Sequence, residues 1–257
     1  MNCQTKVRPP RQILRLGFTN ESAIARHRGV REWMTLASAA LDAGFDTLWI
    51  PSDPDDPDPW MVAATLLTDL SDVSQLGLMV SLRASTILPV AAAHLAQSLQ
   101  SLSGGRVSLQ MTSDHPFDDR HDHLNLDQRL ARRAEFLAIF DALWRDPAPL
   151  HYRGTYFQVE NGQLPDLNAR QPAFFWEAGT EPSCPDGAHP CAGLLEPFDP
   201  GEFARQTIEH AYQVLGEPMP HSPSLFYAAR VSRGIALAPP AGSTEGRSHP
   251  DTGESQA

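Results

Sequence analysis

Two kinds of apolar pattern alternate along this chain. Short apolar runs lie between longer stretches whose apolar residues recur every third and fourth position, the periods of buried strands and amphipathic helices. Strands are predicted at Leu14–Thr19, Phe45–Pro51, Leu76–Leu82, Val107–Met111, Ala173–Trp176 and Ala192–Leu195, with a seventh inside Leu225–Leu237. Helices are predicted at Val30–Ala43, Trp60–Leu70, Pro89–Leu102, Asp127–Trp144 and Glu202–Leu215. In the fourth helix Leu130, Phe136, Leu137, Phe140 and Leu143 can share one face. His151–Val159 reads as a small hairpin turning at Arg153–Gly154.

The stretch from Leu76 to Met111 shows the architecture best. An apolar run is followed by a helix with Pro89 at its start, and Ser103-Gly104-Gly105 ends that helix before a second apolar run. Strands joined by such a crossover should be parallel neighbours. Repeated along the chain, the unit predicts an α/β fold of the (β/α)8 TIM-barrel type lacking its last strand–helix unit. A doubly wound sheet would want a Gly-rich phosphate loop after the first strand, and Gly17–Ser22 is not one. Residues 1–11 read as a disordered lead, 12–238 as the barrel domain and 239–257 as a disordered tail of Pro, Gly, Ser and charge. A barrel short of a unit should expose two unpaired strand edges and an apolar interior, so association into a homo- or hetero-oligomer is expected.

Composition narrows the partners. The 257 residues carry a formal charge of -11 and a pI near 5.3, which argues against nucleic acid and anionic membrane surfaces. No apolar run is long enough to span a bilayer, and the first residues lack an apolar signal core. Cys3, Cys184 and Cys191 form an odd set in a large chain, the pattern of a reduced cytoplasmic protein.

Three clusters could bind metal. His115, His121 and His123 with Asp114, Asp118, Asp119 and Asp122 lie on a loop with no element to set ligand geometry. Asp53, Asp55, Asp56 and Asp58 are separated by prolines and lack an EF-hand Gly and Glu. Cys184, His189 and Cys191 have no second Cys pair. No metal site is expected, and the five tryptophans read as core or barrel-mouth packing.

Phe45–Trp60, Leu76–Met111, the helix DQRLARRAEF, the hairpin HYRGTYFQVENGQLPDL and the strand AFFWEAGT stand in an order that resembles the bacterial luciferase-like flavin monooxygenases, in particular the alkanesulfonate monooxygenase branch. An Arg followed by Leu-Ser-x-Gly-Arg before a strand, here Arg83 to Arg106, carries much of the likeness. The resemblance implies a barrel that binds reduced FMN at the C-terminal ends of its strands, takes that flavin from a separate flavin reductase, and uses O2 to oxidise a small organic substrate. It implies that Gln110, Thr112, Ser113, Gly179 and Thr180 line the flavin, and that Arg230 holds an anionic substrate or the oxygen-bearing flavin.

The chain departs from the family at several points. Asp56 stands where relatives often have a small polar group. Leu126-Asp127-Gln128-Arg129-Leu130 replaces His-x-x-Arg-Tyr, Glu177-Ala178-Gly179-Thr180 replaces Gly-Gly-Ser-Ser, and Ser232 takes the place of a catalytic-type histidine. These departures keep two alternatives beside the monooxygenase: a catalytically impaired relative acting as a flavin-binding or partner subunit, and a metal-dependent hydrolase using the His/Asp loop.

Overall fold

The computed structural model describes residues 11–16, 30–52, 57–69, 75–112, 123–165, 169–177, 193–216 and 226–231. In chain order the elements are β1 (Gln12–Leu16), α1 (Val30–Asp42), β2 (Thr47–Ile50), α2 (Pro59–Asp69), β3 (Gly77–Leu82), α3 (Pro89–Ser103), β4 (Val107–Met111), α4 (Leu126–Arg145), β5 (Leu150–Arg153), β6 (Gln158–Gly162), β7 (Ala173–Glu177), β8 (Gly193–Pro197), α5 (Glu202–Val214) and β9 (Phe226–Val231).

Seven strands close a barrel in the order β1-β2-β3-β4-β7-β8-β9, and β5 with β6 forms a separate hairpin. Neighbours from β1 round to β8 are parallel, whereas β9 runs antiparallel to both β8 and β1. The α/β barrel of seven strands is the truncated (β/α)8 fold expected. The two unpaired edges expected with it do not exist, because β9 lies between β8 and β1 and satisfies both ladders. An antiparallel strand supplies the same N–H and C=O groups as a parallel one, and leaving them unpaired would be costly.

Local chemistry explains the element ends. Pro89 opens α3, and Gly104 closes it at φ 64 with its N–H donated to the carbonyls of Gln100 and Ser101. A left-handed residue here favours glycine. The Arg106 guanidinium then binds the carbonyls of Ser103 (2.8 Å) and Leu76 (2.9 Å), joining the helix end to the N-terminal end of β3. The resemblance motif around Arg106 is thus scaffold at the end of the barrel away from the strand C-termini. Asn125 and Gln128 form a reciprocal capping box at the start of α4, so this segment is committed to holding the helix.

Two apolar shells result. The outer one lies between the strands and helices and includes Leu14, Trp33, Leu48, Val80, Phe136, Phe140 and Trp176. The inner one fills the lumen with Ile13, Trp49, Met79, Phe175, Leu195 and Ala229. On α4 the expected face is buried at Phe136, Leu137, Phe140 and Leu143, but Leu130 is 40% exposed. The first turns of α4 therefore stand clear of the core, and the buried stripe begins at Arg133.

The hairpin is fastened to α4 by one carboxylate. Glu135 accepts the backbone N–H groups of Thr155 (2.8 Å), Tyr156 (3.0 Å) and Phe157 (3.2 Å). On the α3 side, His94 Nε2 bonds the Gln163 carbonyl at 2.9 Å and Gln97 Nε2 donates to the Pro165 carbonyl at 2.7 Å. No helix among the described residues is long and apolar enough to cross a membrane.

Candidate functional site

Successive side chains of a strand face opposite sides of a sheet, and the register assigns those facing the lumen. Arg15 pairs with Trp49, Trp49 with Met79, and Met79 with Ser108. Ser81 pairs with Gln110, and Gln110 with Phe175. Trp49, Met79 and Phe175 belong to the inner cluster, so Arg15, Ser81 and Gln110 share its face.

Three of these polar groups are linked. The Trp49 indole N–H donates to Ser81 Oγ at 2.8 Å, and Ser81 Oγ donates to Gln110 Oε1 at 3.2 Å. Gln110 Nε2 in turn donates to the Met111 carbonyl at 2.8 Å. Trp49, Ser81 and Gln110 are each no more than 2% exposed. This chain of bonds crosses β2, β3 and β4, and it orders every group it touches: the hydroxyl of Ser81 has one proton and gives it to Gln110, which sets the amide with its oxygen towards β3. Buried polar groups are retained at low cost only when they are satisfied in this way.

Cations and a hydroxyl gather near the same strand ends. The Arg15 guanidinium sits 4.7 Å from the centroid of the Trp49 ring. Arg83, just past β3, donates through Nη2 to the carbonyl of Ser52, just past β2. Thr112, just past β4, bonds the Leu82 carbonyl through its N–H (3.1 Å) and its hydroxyl (3.3 Å). The parallel strands all end here, and loops leaving strand C-termini are where barrels of this kind place their chemistry.

The residues expected to form the site are placed unequally. Gln110 faces the lumen, and Thr112 stands at the β4 terminus. Ser113, Gly179 and Thr180 lie outside the described residues, as do the Cys184–His189–Cys191 set, Asp53, Asp55, Asp56 and most of the His/Asp loop. Arg230 is exposed and points away from the lumen, since its neighbours Ala229 and Val231 pack with the inner cluster. It pairs with Gln12, the first residue of β1. Because β9 runs backwards, its last residues approach the N-terminal end of β1 rather than the end where the parallel strands terminate. Among the described residues no group of three His, Cys, Asp or Glu side chains could hold a metal ion.

Sequence reasoning missed Arg15, Ser81 and Arg83 as site residues and read Trp49 as packing. The signal was present in the period-two alternation of Ile13/Arg15, Thr47/Trp49, Met79/Ser81 and Ser108/Gln110. Each is an apolar or small residue followed two positions later by a polar or indole group at the strand's far end.

Comparison with known proteins agrees with the barrel. A family model described as luciferase-like monooxygenase matches residues 15–231. EDTA monooxygenase (EmoA) from Chelativorans sp. BNC1 is 21% identical with a TM-score of 0.57, over 80% of this chain and 58% of that one. DmoA from Hyphomicrobium sulfonivorans is 16% identical with a TM-score of 0.54, over 77% and 53% of the two chains. Long-chain alkane monooxygenase (LadA) is 17% identical with a TM-score of 0.55, over 74% and 54%. The chain spans a little over half the length of each. On the family match, which extends from β1 to the end of β9, this chain belongs to the luciferase-like monooxygenase family.

Proposed function

We propose that the protein is a flavin-dependent oxidoreductase that uses FMN and dioxygen to oxidise a small organic substrate, with reduced flavin supplied by a separate reductase in the cytoplasm. The observation that carries this reading is the Trp49–Ser81–Gln110 chain of hydrogen bonds, a buried polar strip in an apolar lumen beside the strand C-termini. Solved relatives of similar fold hold FMN or depend on coenzyme F420.

The donor set fits a flavin. Trp49, Met79, Phe175 and Leu195 provide an apolar surface for a planar ring. Gln110 has two N–H groups on Nε2, and among the described residues only the bond to the Met111 carbonyl uses one. The other can meet a ring carbonyl or nitrogen, with the Thr112 hydroxyl nearby for a more polar part of the ligand. Ser113, Gly179 and Thr180 are proposed to complete the lining.

The flavin, when bound, supplies the electron transfer and the reaction with dioxygen. The chain's own residues do the rest. Trp49, Ser81 and Gln110 orient: each is held by the next, so the amide meets a ligand without first reorganising. The inner apolar shell excludes water from the floor of the site. None of the three linked groups titrates near neutral pH, so the strip positions a ligand but moves no proton.

The test is titration of the full chain with oxidised and reduced FMN, followed by flavin fluorescence. Oxygen uptake is then measured with a supplied reductase and candidate substrates. Stoichiometric binding at micromolar concentration and substrate-dependent oxygen uptake are expected. Absence of flavin binding in both redox states would sink the reading.

A further inference from the structure

We infer that Arg15 is an oxyanion anchor at the mouth of the barrel, holding the phosphate, sulfonate or carboxylate group of a molecule that enters the lumen. The inference rests on reading the lumen as a ligand site.

Position comes first. Arg15 is one residue from the C-terminal end of β1, and its register partner is Trp49 of the inner cluster. Among the inward-facing side chains of the described strand residues it is the only charged one. It is partly exposed, and so reachable, while Ile13 two residues earlier is fully buried. A cation at the boundary of an apolar lumen acts where water screens it less than at an open surface.

Orientation comes second. The guanidinium sits over the Trp49 ring, and a guanidinium held against an aromatic face keeps its N–H donors for in-plane partners. The indole beneath is fixed by Ser81, Ser81 by Gln110, and Gln110 by the β4 backbone. Less freedom is therefore lost when an anion binds, which favours affinity. Bidentate contact with a planar or tetrahedral oxyanion suits this residue type.

Other arginines show what a scaffold role looks like here. Arg106 ties two backbone carbonyls at the opposite end of the barrel. Arg133 is 5% exposed and packs over Trp176 between α4 and the outer barrel face. Neither reaches the lumen.

Two sources could supply the oxyanion, the phosphate of the flavin or an acidic group on the substrate. Four ligands separate them when titrated into the wild-type chain and into Arg15→Met, Arg15→Lys and Trp49→Phe: FMN, riboflavin, octane-1-sulfonate and octan-1-ol. Thermal melting verifies that each variant is folded. Arg15→Met is expected to weaken one anion about 10- to 100-fold, with its neutral counterpart unchanged within about twofold. Arg15→Lys should fall between, and Trp49→Phe should show a smaller loss confined to the same anion.

Loss on FMN alone assigns the phosphate, and loss on the sulfonate alone assigns an acidic substrate. Equal loss on charged and neutral ligands would show a packing role and overturn the inference. So would unchanged affinities, or a wild-type chain that binds neither anion. If FMN and riboflavin bind equally and ignore Arg15, the flavin reading stands and the anchor falls. If no flavin binds while the sulfonate depends on Arg15, the anchor stands and the flavin reading falls.

Discussion

Gly154 shows how much one missing side chain can decide. A Cβ at this position would come within 2.2 Å of Glu135 Oε2 and 2.7 Å of Tyr152 Cε1. Glu135 cannot easily move aside, because three backbone N–H groups hold its carboxylate. Gly154→Ala is expected to lower stability by about 1–3 kcal/mol, the usual range for overpacking. Urea denaturation measures it, and a variant as stable as wild type would mean that the latch gives way freely. The Arg-Gly-Thr-Tyr run was readable in the sequence as a turn. Its partner was not, because Glu135 lies about two dozen residues upstream on another element.

At the scale of elements, the joint between α4 and the β5–β6 hairpin has its own pH signature. Burial raises the Tyr152 phenol above its ordinary value of 10.0, and the charge of Glu135 adds to the effect. A raised folded value means that the native state binds the phenolic proton more tightly than the unfolded chain. That stability is fully present below about pH 10 and is lost as pH rises through the folded value. Tyr152→Phe should therefore flatten the fall in unfolding free energy between about pH 9.5 and 11. Parallel stability curves for the two proteins would refute the assignment. Element boundaries were largely legible, since proline, glycine and Asn125 act locally on the backbone. Leu130 was misplaced because helical spacing alone does not tell where along α4 the sheet begins to cover it.

For the whole molecule, β9 decides the outcome. Its direction closes the barrel, removes both expected edges and turns Arg230 outward. Ala229 is fully buried against the inner cluster and pairs with Ile13 and Pro197. Ala229→Leu should cost about 1–3 kcal/mol by overpacking, whereas Arg230→Ala at the next, exposed position should stay within about 0.5 kcal/mol of wild type. Thermal or urea unfolding of the pair reads the strand's orientation directly. Reversed sensitivities would mean that Arg230 faces inward after all.

The sequence by itself determined the class of fold, the order of strands and helices, the parallel β3–α3–β4 unit and the presence of Gln110 and Thr112 at a strand terminus. Those follow from periodicity, from proline and glycine at helix ends, and from residues near each other in the chain. Only the tertiary structure decided which way the last strand runs and which side chains share the lumen. Arg15, Trp49, Ser81 and Gln110 come from four strands, and sheet register alone makes them neighbours. Alternation assigns a residue to one of two faces, but which face is interior, and at which end the closing strand presents its residues, depends on how the barrel closes.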